Sequence, residues 1–184
     1  MIKILGISGS LRRGSFNTAL LRAAAQMRPP DVELTVATLH GIPLYDGDVE
    51  ASDGIPQAVK DLKEAIMQSN GVLLSTPEYN NSIPGVFKNA IDWLSRPPAE
   101  IPKVFGAKPV AIAGASIGPF GTLLSQNGWL PVLKVLGTRP WFGGRLVVSR
   151  ANNAFDANGV LMDENVRNDV QKFLTGFVEY VRGG

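Results

Sequence analysis

The sequence predicts an α/β fold in which a parallel β-sheet carries helices on both faces. Short apolar runs rich in branched residues alternate strictly with helical apolar stripes along the chain. Loops rich in glycine and proline follow several of the apolar runs, as expected of strand-to-helix connections. We expect five strands and five helices in a single domain of residues 1–184, because the chain contains no repeat, low-complexity segment or linker.

The first half of the chain begins with a strand. Residues 2–7 are a short, branched apolar run, which is typical of a buried strand. A helix starts at Ser15, where apolar side chains recur with helical spacing, and a proline pair stops it. The alternating residues 32–39 predict the second strand. After a polar loop of residues 40–55, a second helical stripe covers residues 55–66.

The second half continues the alternation with three strands and three helices. Residues 71–75 form the third strand, and Pro84 opens a helix that runs to about residue 95. Residues 110–113 are the fourth strand and precede a fourth helix. The last strand lies within residues 141–149, with an interruption at a glycine pair, and an amphipathic helix closes the chain.

Composition excludes several kinds of chemistry. The chain has no cysteine, which excludes disulfides, thiolate metal sites and thiol nucleophiles. Its one histidine, His40, would have to serve any Ser-His-Asp triad, and a metal site built from several histidines is excluded. The net charge of +2 is too small to indicate a nucleic-acid binder.

The remaining stretches predict a cytoplasmic protein without a membrane anchor or a metal site. No secretory signal is visible. The uncharged stretch 109–133 is long enough to span a bilayer, but its glycines and prolines favour a strand, a loop and a buried helix. The acidic residues of loop 40–55 lack the spacing of an EF-hand and are expected to be solvated. His40 is expected to be solvated or to fix its own loop, away from the ligand-binding edge of the sheet.

Three unusual loops, residues 8–17, 76–84 and 114–121, follow predicted strands and should share one edge of the sheet. Parallel α/β sheets bind ligands at the carboxyl ends of their strands, near the point where the strand order reverses. Loop 8–17 joins three hydroxyl groups, the Arg12 guanidinium and the Asn17 amide to a helix N-terminus, which suits a phosphate. Its spacing matches neither a dinucleotide motif nor a P-loop, which favours a single terminal phosphate. The alternative is a plain turn with a serine N-cap.

The other two loops suit the flat ring of an aromatic ligand. Two prolines stiffen loop 76–84, and Tyr79 offers an aromatic ring beside the face of a ligand. Glu78 is either a catalytic acid or base or a carboxylate that fixes the loop, and its lack of an evident partner favours the second role. The glycines of loop 114–121 permit either close approach of the backbone to a ligand or a tight turn into the next helix.

Two long motifs resemble the NAD(P)H-dependent FMN reductase family, and within it the quinone and chromate reductases. The first is GSLRRGSFN at residues 9–17, and the second is PEYN at residues 77–80 followed by SIPGVFKNAIDWLSRP at residues 82–97. The resemblance implies a flavodoxin-like sheet of strand order 2-1-3-4-5 and bound FMN. It also implies NADPH or NADH as co-substrate and assembly into a homodimer or homotetramer.

By the family pattern, the FMN phosphate lies in the first loop and the flavin ring lies between the other two. The implied phosphate site consists of Ser10, Arg12, Ser15, Phe16 and Asn17. The implied ring site consists of Pro77, Glu78, Tyr79, Asn80, Ser116 and Gly118. Two positions depart from the pattern, with Asn81 in place of an aromatic residue and Thr122 in place of a glycine. Both are expected near the acceptor site, so they concern the choice of acceptor rather than FMN binding.

The resulting hypothesis is a flavin-dependent oxidoreductase that needs no catalytic side chain, because the cofactor carries the hydride chemistry. Electrons would pass from NAD(P)H through FMN to a quinone or similar acceptor (chromate, azo or nitro compounds, or free flavin) by a ping-pong mechanism. One alternative is a flavodoxin-like electron carrier, which the net charge of +2 disfavours. Another is a serine hydrolase, which would need a nucleophile elbow that the sequence lacks.

Self-association is predicted through the third helix. Phe87 and its helical neighbours are enough to cover the sheet, which leaves Val86 and Trp93 as surplus apolar surface.

Overall fold

A computed structural model describes residues 1–183 and shows six strands in one parallel sheet. The strands are β1 (Ile2–Ser8), β2 (Val32–Ala37), β3 (Gly71–Ser75), β4 (Pro109–Ala115), β5 (Arg139–Pro140) and β6 (Leu146–Val148). Their order is β2-β1-β3-β4-β5, and β6 also pairs with β4. The doubly wound, flavodoxin-like order expected from the resemblance is therefore confirmed.

Eight α-helices accompany the sheet within the same residues. They are α1 (Phe16–Gln26), α2 (Gly47–Asp53), α3 (Gln57–Gln68), α4 (Gly85–Leu94), α5 (Ile101–Val104), α6 (Leu123–Val135), α7 (Ala151–Ala154) and α8 (Glu164–Arg182). The five long helices α1, α3, α4, α6 and α8 are the predicted ones. None of the helices in the described part of the chain is long and apolar enough to cross a bilayer.

The short helix α2 lies inside the predicted polar loop of residues 40–55, which is a correction. Asp46 caps it, because the Asp46 carboxylate accepts a hydrogen bond from the Asp48 N–H at 2.9 Å. No residue of α2 is buried. The acidic run therefore builds an exposed turn of helix, stabilised by carboxylates near its N-terminus.

The predicted interruption of the last strand is confirmed, but its first piece lies before residue 141, where the strand was expected to begin. The strand is split into β5 and β6, and residues 141–145 leave the sheet between them. The Trp141 indole packs against Phe173 of α8, with ring centroids 5.0 Å apart. A Cβ atom at Gly143 would lie 2.5 Å from the indole nitrogen. The glycine pair thus lets the chain fold over a tryptophan instead of continuing the strand.

Two apolar cores lie on opposite faces of the sheet. One joins β1 residues such as Ile4 to α1 and α8, and the other joins Leu5 and Ile7 to α3, α4 and α6. Successive side chains of a strand point to opposite faces, so a short apolar run supplies both cores. Helix α1 thus lies on one face of β1, and α3 lies on the other.

Trp93 belongs to the core, so the prediction that it forms exposed surface is wrong. It is 0% exposed. Its indole N–H donates to the Pro43 carbonyl oxygen at 3.0 Å, and the Tyr45 ring packs edge-on at 4.9 Å between centroids. Residues 43–45 therefore cover the side of α4 that was expected to be free, and Val86 is half-buried.

An ion pair holds this covering segment against the end of α4. The Arg96 Nε donates to the Glu50 carboxylate at 2.8 Å, and the Tyr45 hydroxyl donates to the same oxygen at 2.9 Å. The bond from Arg96 is the main reason why the pKa of Glu50 lies below its ordinary value.

The strand register brings three loops to one edge of the sheet. Ser8 at the end of β1 pairs with Ser75 at the end of β3, which in turn pairs with Ala113 of β4. Ala115 at the end of β4 pairs with Val148 of β6. The loops after β1, β3 and β4 therefore meet, and they do so where the helices change faces, which is the usual ligand position in such folds.

Candidate functional site

A cavity of about 230 Å³ opens at this edge, between α1 and the loops that follow β3 and β4. Nine of the eleven predicted site residues line it, namely Ser10, Arg12, Ser15, Phe16, Asn17, Pro77, Glu78, Tyr79 and Ser116. Asn80 and Gly118 do not line it, whereas Ala115 and Ile117, which were not predicted, do. A groove of about 740 Å³ beside Trp141 is larger, but none of the three loops lines it.

The start of α1 presents hydrogen-bond donors to the cavity. Ser15 caps the helix, its hydroxyl oxygen accepting from the Thr18 N–H at 3.2 Å, and the Ser10 hydroxyl accepts from the Arg12 N–H at 3.3 Å. Each hydroxyl keeps its own hydrogen to donate. Among residues 1–183, the main-chain N–H groups of Phe16 and Asn17 have no acceptor. Four donors thus converge beside the Arg12 guanidinium, an arrangement suited to a phosphate.

The side chain of Asn17 fixes this geometry rather than facing a ligand. It is 3% exposed, and its amide group donates to the Ala115 carbonyl at 2.9 Å. Its oxygen accepts from the Ala115 N–H at 3.0 Å and from the Ser75 hydroxyl at 3.1 Å. One amide therefore ties α1 to the ends of β3 and β4, and only the main-chain N–H of Asn17 is left for an anion.

Two glycines allow the loops to approach this closely. A Cβ atom at Gly9 would lie 2.2 Å from the Phe87 ring of α4. A Cβ atom at Gly114 would lie 2.3 Å from the Thr76 carbonyl oxygen and 2.2 Å from the Thr122 hydroxyl oxygen. The glycines of the third loop were predicted to allow close approach of the backbone to a ligand. Gly114 instead allows the backbone to approach Thr76 and Thr122 of the protein itself.

Residues 79–82 form a tight two-residue hairpin at the tip of the second loop. The main chains of Tyr79 and Ser82 exchange hydrogen bonds at 3.2 and 3.0 Å. Asn80 and Asn81, between them, have φ angles of 50° and 59°. Asparagine tolerates this left-handed region better than most residues, and the turn requires it twice. The turn thus accounts for Asn81, the position at which an aromatic residue was expected.

Glu78 fixes its loop, as the second of its two predicted roles requires. One carboxylate oxygen accepts from the main-chain N–H groups of Leu124 and Ser125 at 2.8 and 3.0 Å. These groups belong to the first turn of α6, whose own N-cap residue, Thr122, makes no capping bond with its side chain. Glu78 therefore caps a helix that lies 46 residues further along the chain.

Thr122 is fully buried, so its side chain has a structural role, and its expected position near the acceptor site stays a prediction. Its hydroxyl accepts from the Gln126 side chain at 3.1 Å, and Gln126 also donates to the Leu146 carbonyl at 2.9 Å. Gln126 thus links α6 to Thr122 and to β6. A glycine at this position would leave the Gln126 amide one acceptor short.

The third loop is held to the end of β6. The Ser116 N–H donates to the Val148 carbonyl at 3.0 Å, and the Gly118 N–H donates to the Ser116 hydroxyl at 3.2 Å. The main-chain N–H groups of Ser116 and Gly118 are therefore engaged within the protein. The main-chain N–H groups of Glu78, Asn80 and Ile117 donate to no atom of the described residues and are left for a ligand.

His40 lies closer to the site than expected. Its Nε2 is 3.2 Å from the Leu11 carbonyl oxygen in the first loop, and its Nδ1 is 3.1 Å from the Thr38 hydroxyl. A carbonyl oxygen only accepts, so Nε2 is the donor in that contact. The predicted loop-fixing role therefore agrees with these contacts, but the loop that His40 fixes is that of Arg12, and the predicted distance from the rim is wrong.

The sheet is doubly wound, and a helix start suited to a phosphate lies beside two rigid loops at the point where the strand order reverses. These features define a mononucleotide-binding, flavodoxin-like protein. Comparison with known proteins narrows this class. A family model described as NADPH-dependent FMN reductase matches residues 2–153. The chain belongs to this family of flavin-dependent oxidoreductases, which confirms the resemblance that the two motifs indicated.

Three similar proteins span nearly the whole chain. An NAD(P)H-dependent FMN reductase of Pseudomonas aeruginosa is 46% identical, covering 98% of this chain and 96% of its own. A 2-hydroxy-1,4-benzoquinone reductase of a Burkholderia species is 36% identical over 98% of this chain and 97% of its own. The structure of a flavoenzyme NAD(P)H:(acceptor) oxidoreductase from Paracoccus denitrificans superposes with a TM-score of 0.87 at 31% identity, covering 100% and 98% of the two chains.

The residues around the cavity fit FMN, the cofactor of this family. One phosphate matches the four donors and the arginine at the start of α1. A flat ring matches the rigid loops beyond them, where Pro77 is buried and Tyr79 is exposed. The enzyme class and the cofactor therefore agree with the sequence prediction.

Proposed function

We propose that the protein is an NAD(P)H-dependent quinone reductase that binds FMN in the 230 Å³ cavity. One observation carries this proposal. A single cavity is lined by a helix start that suits a phosphate and by two loops that suit a flat ring. When bound, FMN supplies the hydride-transfer chemistry. The protein's own residues would bind it, orient it and control access.

The phosphate would be held by the Ser10 and Ser15 hydroxyls, the N–H groups of Phe16 and Asn17, and Arg12. Arg12 forms no ion pair with another residue of the described chain, so its charge is available. The free N–H groups of Glu78, Asn80 and Ile117 would donate to the polar edge of the ring, where they would stabilise negative charge. Among the described residues that line the cavity, Glu78 supplies the only carboxylate, and it is already engaged with α6.

The rim of the cavity favours an apolar, planar acceptor. Four exposed apolar side chains lie on the second and third loops and the start of α6: Tyr79, Ile117, Phe120 and Leu124. A quinone would bury such surface, whereas a small oxyanion would not. The similarity to the 2-hydroxy-1,4-benzoquinone reductase of Burkholderia and to a quinone reductase of Escherichia coli supports the same class. Because both would have to reach the same exposed face of the flavin, we infer that the nicotinamide and the acceptor bind in turn, which is a ping-pong mechanism.

A turnover assay tests the proposal. Purified protein loaded with FMN is mixed with NADPH and a quinone, and consumption of both is followed. We expect stoichiometric consumption, with parallel lines in double-reciprocal plots at several quinone concentrations. Nicotinamide oxidation that requires no quinone, or converging lines, would contradict the acceptor class or the mechanism. A flavodoxin-like carrier, the alternative function, would bind FMN but show no nicotinamide turnover.

We also propose that the chain forms a homodimer or homotetramer, as the family resemblance implies. The burial of Trp93 moves the expected contact from Trp93 to apolar side chains that remain exposed, of which Leu44 and Phe120 are 82% and 75% exposed. Sedimentation at micromolar concentration tests this proposal, and a monomer mass contradicts it.

A further inference from the structure

A second cavity of about 480 Å³ lies next to the first one and carries the inference drawn here. It is a groove between α1 and the turn formed by residues 156–159. It shares Arg12, Ser15 and Phe16 with the FMN cavity, so a ligand could contact both. We call it the arginine groove, because Arg12, Arg13 and Arg22 line it.

The walls of the groove are fixed by local structure. Ser15, Ala19 and Arg22 follow one another at spacings of four and three residues, which places them on one face of α1. The opposite wall is a tight turn in which the Asp156 carboxylate accepts from the N–H groups of Asn158 and Val160 at 2.9 and 2.8 Å. Ala19 is buried, and a Cβ atom at Gly159 would lie 3.5 Å from its methyl group, so the two walls approach each other closely at this point.

The charge of the groove is strongly unbalanced. Three guanidinium groups line it against one carboxylate, that of Asp156, which already accepts two main-chain hydrogen bonds. Neither Arg13 nor Arg22 forms an ion pair or a side-chain hydrogen bond with another residue of the described chain. By contrast, Arg96 pairs with Glu50 and Arg182 pairs with Asp31.

Residues 1–30 contain five basic residues and no acidic residue, whereas the rest of the chain has 13 basic and 16 acidic residues. The imbalance is thus concentrated where the groove lies. Guanidinium groups recognise phosphates through paired hydrogen bonds, so an uncompensated group of three indicates a ligand with several phosphate charges.

We propose that the arginine groove binds the 2′-phosphate of NADPH and thereby makes NADPH the preferred nicotinamide substrate. This inference rests on the proposed function. FMN carries one phosphate, for which the start of α1 already provides four donors and Arg12. The nicotinamide nucleotide is the other phosphate-bearing ligand of the reaction, and only NADPH carries the additional dianionic phosphate. Arg13 and Arg22 are the residues that would distinguish it from NADH.

The first test is equilibrium binding, which needs no turnover. Adenosine 2′,5′-bisphosphate and adenosine 5′-monophosphate differ only in the 2′-phosphate, and both are titrated into FMN-loaded protein at low salt. We expect the bisphosphate to bind about tenfold more tightly to the wild type, as charge-assisted contacts at an exposed site permit. Arg13→Ala and Arg22→Ala should each reduce that ratio by about threefold, and the double variant should bring it close to one.

A matched control separates the groove from general charge effects. Lys3→Ala removes one positive charge from the same acid-free segment, but Lys3 does not line the groove. Its ratio of affinities should stay within about a factor of 1.5 of the wild type. Added salt should weaken the bisphosphate more than the monophosphate, because screening acts on the additional charges.

Steady-state kinetics provide the second test. The ratio of KM for NADPH to KM for NADH should rise by about tenfold in the double variant, with kcat and FMN content unchanged. If the wild type oxidised neither nucleotide, the proposed function would be refuted instead. The binding experiment would still test whether the arginine groove recognises a 2′-phosphate.

Three results would overturn the inference. Equal affinity of the wild type for the two adenosine phosphates would show that the groove does not recognise the 2′-phosphate. An affinity ratio that survives in the double variant would show that other residues recognise it. Loss of FMN but not of riboflavin from Arg13→Ala and Arg22→Ala would assign the groove to the flavin phosphate.

Discussion

The two ends of the candidate FMN cavity are built in opposite ways. At the inner end, Ser10, Ser15 and Asn17 are at most 5% exposed, and hydrogen bonds fix each of their side chains. At the outer rim, Ile117 and Phe120 are 66% and 75% exposed. A rigid inner end holds one ligand in one position, whereas an apolar rim with few directional bonds accepts ligands of several shapes. Cofactor binding should therefore be sensitive to single substitutions, and acceptor binding should be tolerant of them.

The largest effect is expected from Asn17→Ala at the inner end. The substitution removes three buried hydrogen bonds and leaves the N–H and carbonyl groups of Ala115 without their partner. Unpaired buried groups are costly, so the free energy of unfolding should fall by about 2–4 kcal/mol. Urea denaturation measures this loss. Asn165→Ala, at an exposed position on α8, is the matched control and should change stability by less than about 0.5 kcal/mol. Similar results for the two variants would refute the linking role of Asn17.

Arg12→Ala sharpens the comparison, because it would remove the proposed phosphate contact but no ion pair or side-chain hydrogen bond within the described chain. A charge-assisted contact with the FMN phosphate is worth about 1.5–3 kcal/mol, so FMN should bind roughly ten- to hundredfold more weakly. Riboflavin lacks the phosphate and should bind almost unchanged. Quenching of flavin fluorescence measures both affinities.

Two other outcomes of the Arg12 experiment are informative. A loss of FMN affinity below about threefold would mean that the helix start and the serines hold the phosphate without the arginine. Equal losses for FMN and riboflavin would indicate that the first loop has collapsed. Such a collapse would break the contact between His40 and the Leu11 carbonyl oxygen.

Glu78 connects the two ends, and its substitution should have an intermediate effect. Glu78→Ala removes the cap of α6 and should cost about 1 kcal/mol of stability. Glu78→Gln keeps an acceptor oxygen for the N–H groups of Leu124 and Ser125 but loses the charge beside the helix dipole, which is worth about 0.3–1 kcal/mol. Thermal denaturation of both variants tests this order. A catalytic acid or base would give the opposite result, with Glu78→Gln losing turnover while keeping full stability.

Local signals in the sequence were sufficient to predict the first four strands, the long helices and the positions of the three loops. Ser15 as an N-cap and the alternation of apolar runs are properties of neighbouring residues, and both are confirmed. The errors arose where the decisive contact is distant in sequence. The burial of Trp93 depends on Pro43, 50 residues away. The loop-fixing role of Glu78 was predicted, but its partner helix α6 was not, because that helix lies 46 residues away. No periodicity or spacing indicates such contacts.

The same limit applies within the site. The role of Thr122 depends on its bond with Gln126, and that of Asn17 depends on Ala115, 98 residues away. The family pattern correctly brought Asn17 to the cavity, but only the structure shows that its side chain is already used. Asn81 is the converse case, because its suitability for a left-handed turn was a local signal that the comparison with the family pattern overshadowed.

The smallest effect is expected at the outer rim, from Phe120→Ser. A quinone that covers roughly 40 Å² of the exposed ring would lose about 1 kcal/mol at 25 cal/mol per Å², so KM for the quinone should rise by about fivefold at most. The FMN affinity should stay the same, because Phe120 does not line the FMN cavity. Phe142→Ser is the matched control, since Phe142 is 73% exposed and lies in the segment between β5 and β6. It should change neither quantity. If Phe120→Ser lowered FMN affinity instead of raising the quinone KM, the distinction between a rigid inner end and a tolerant rim would be wrong.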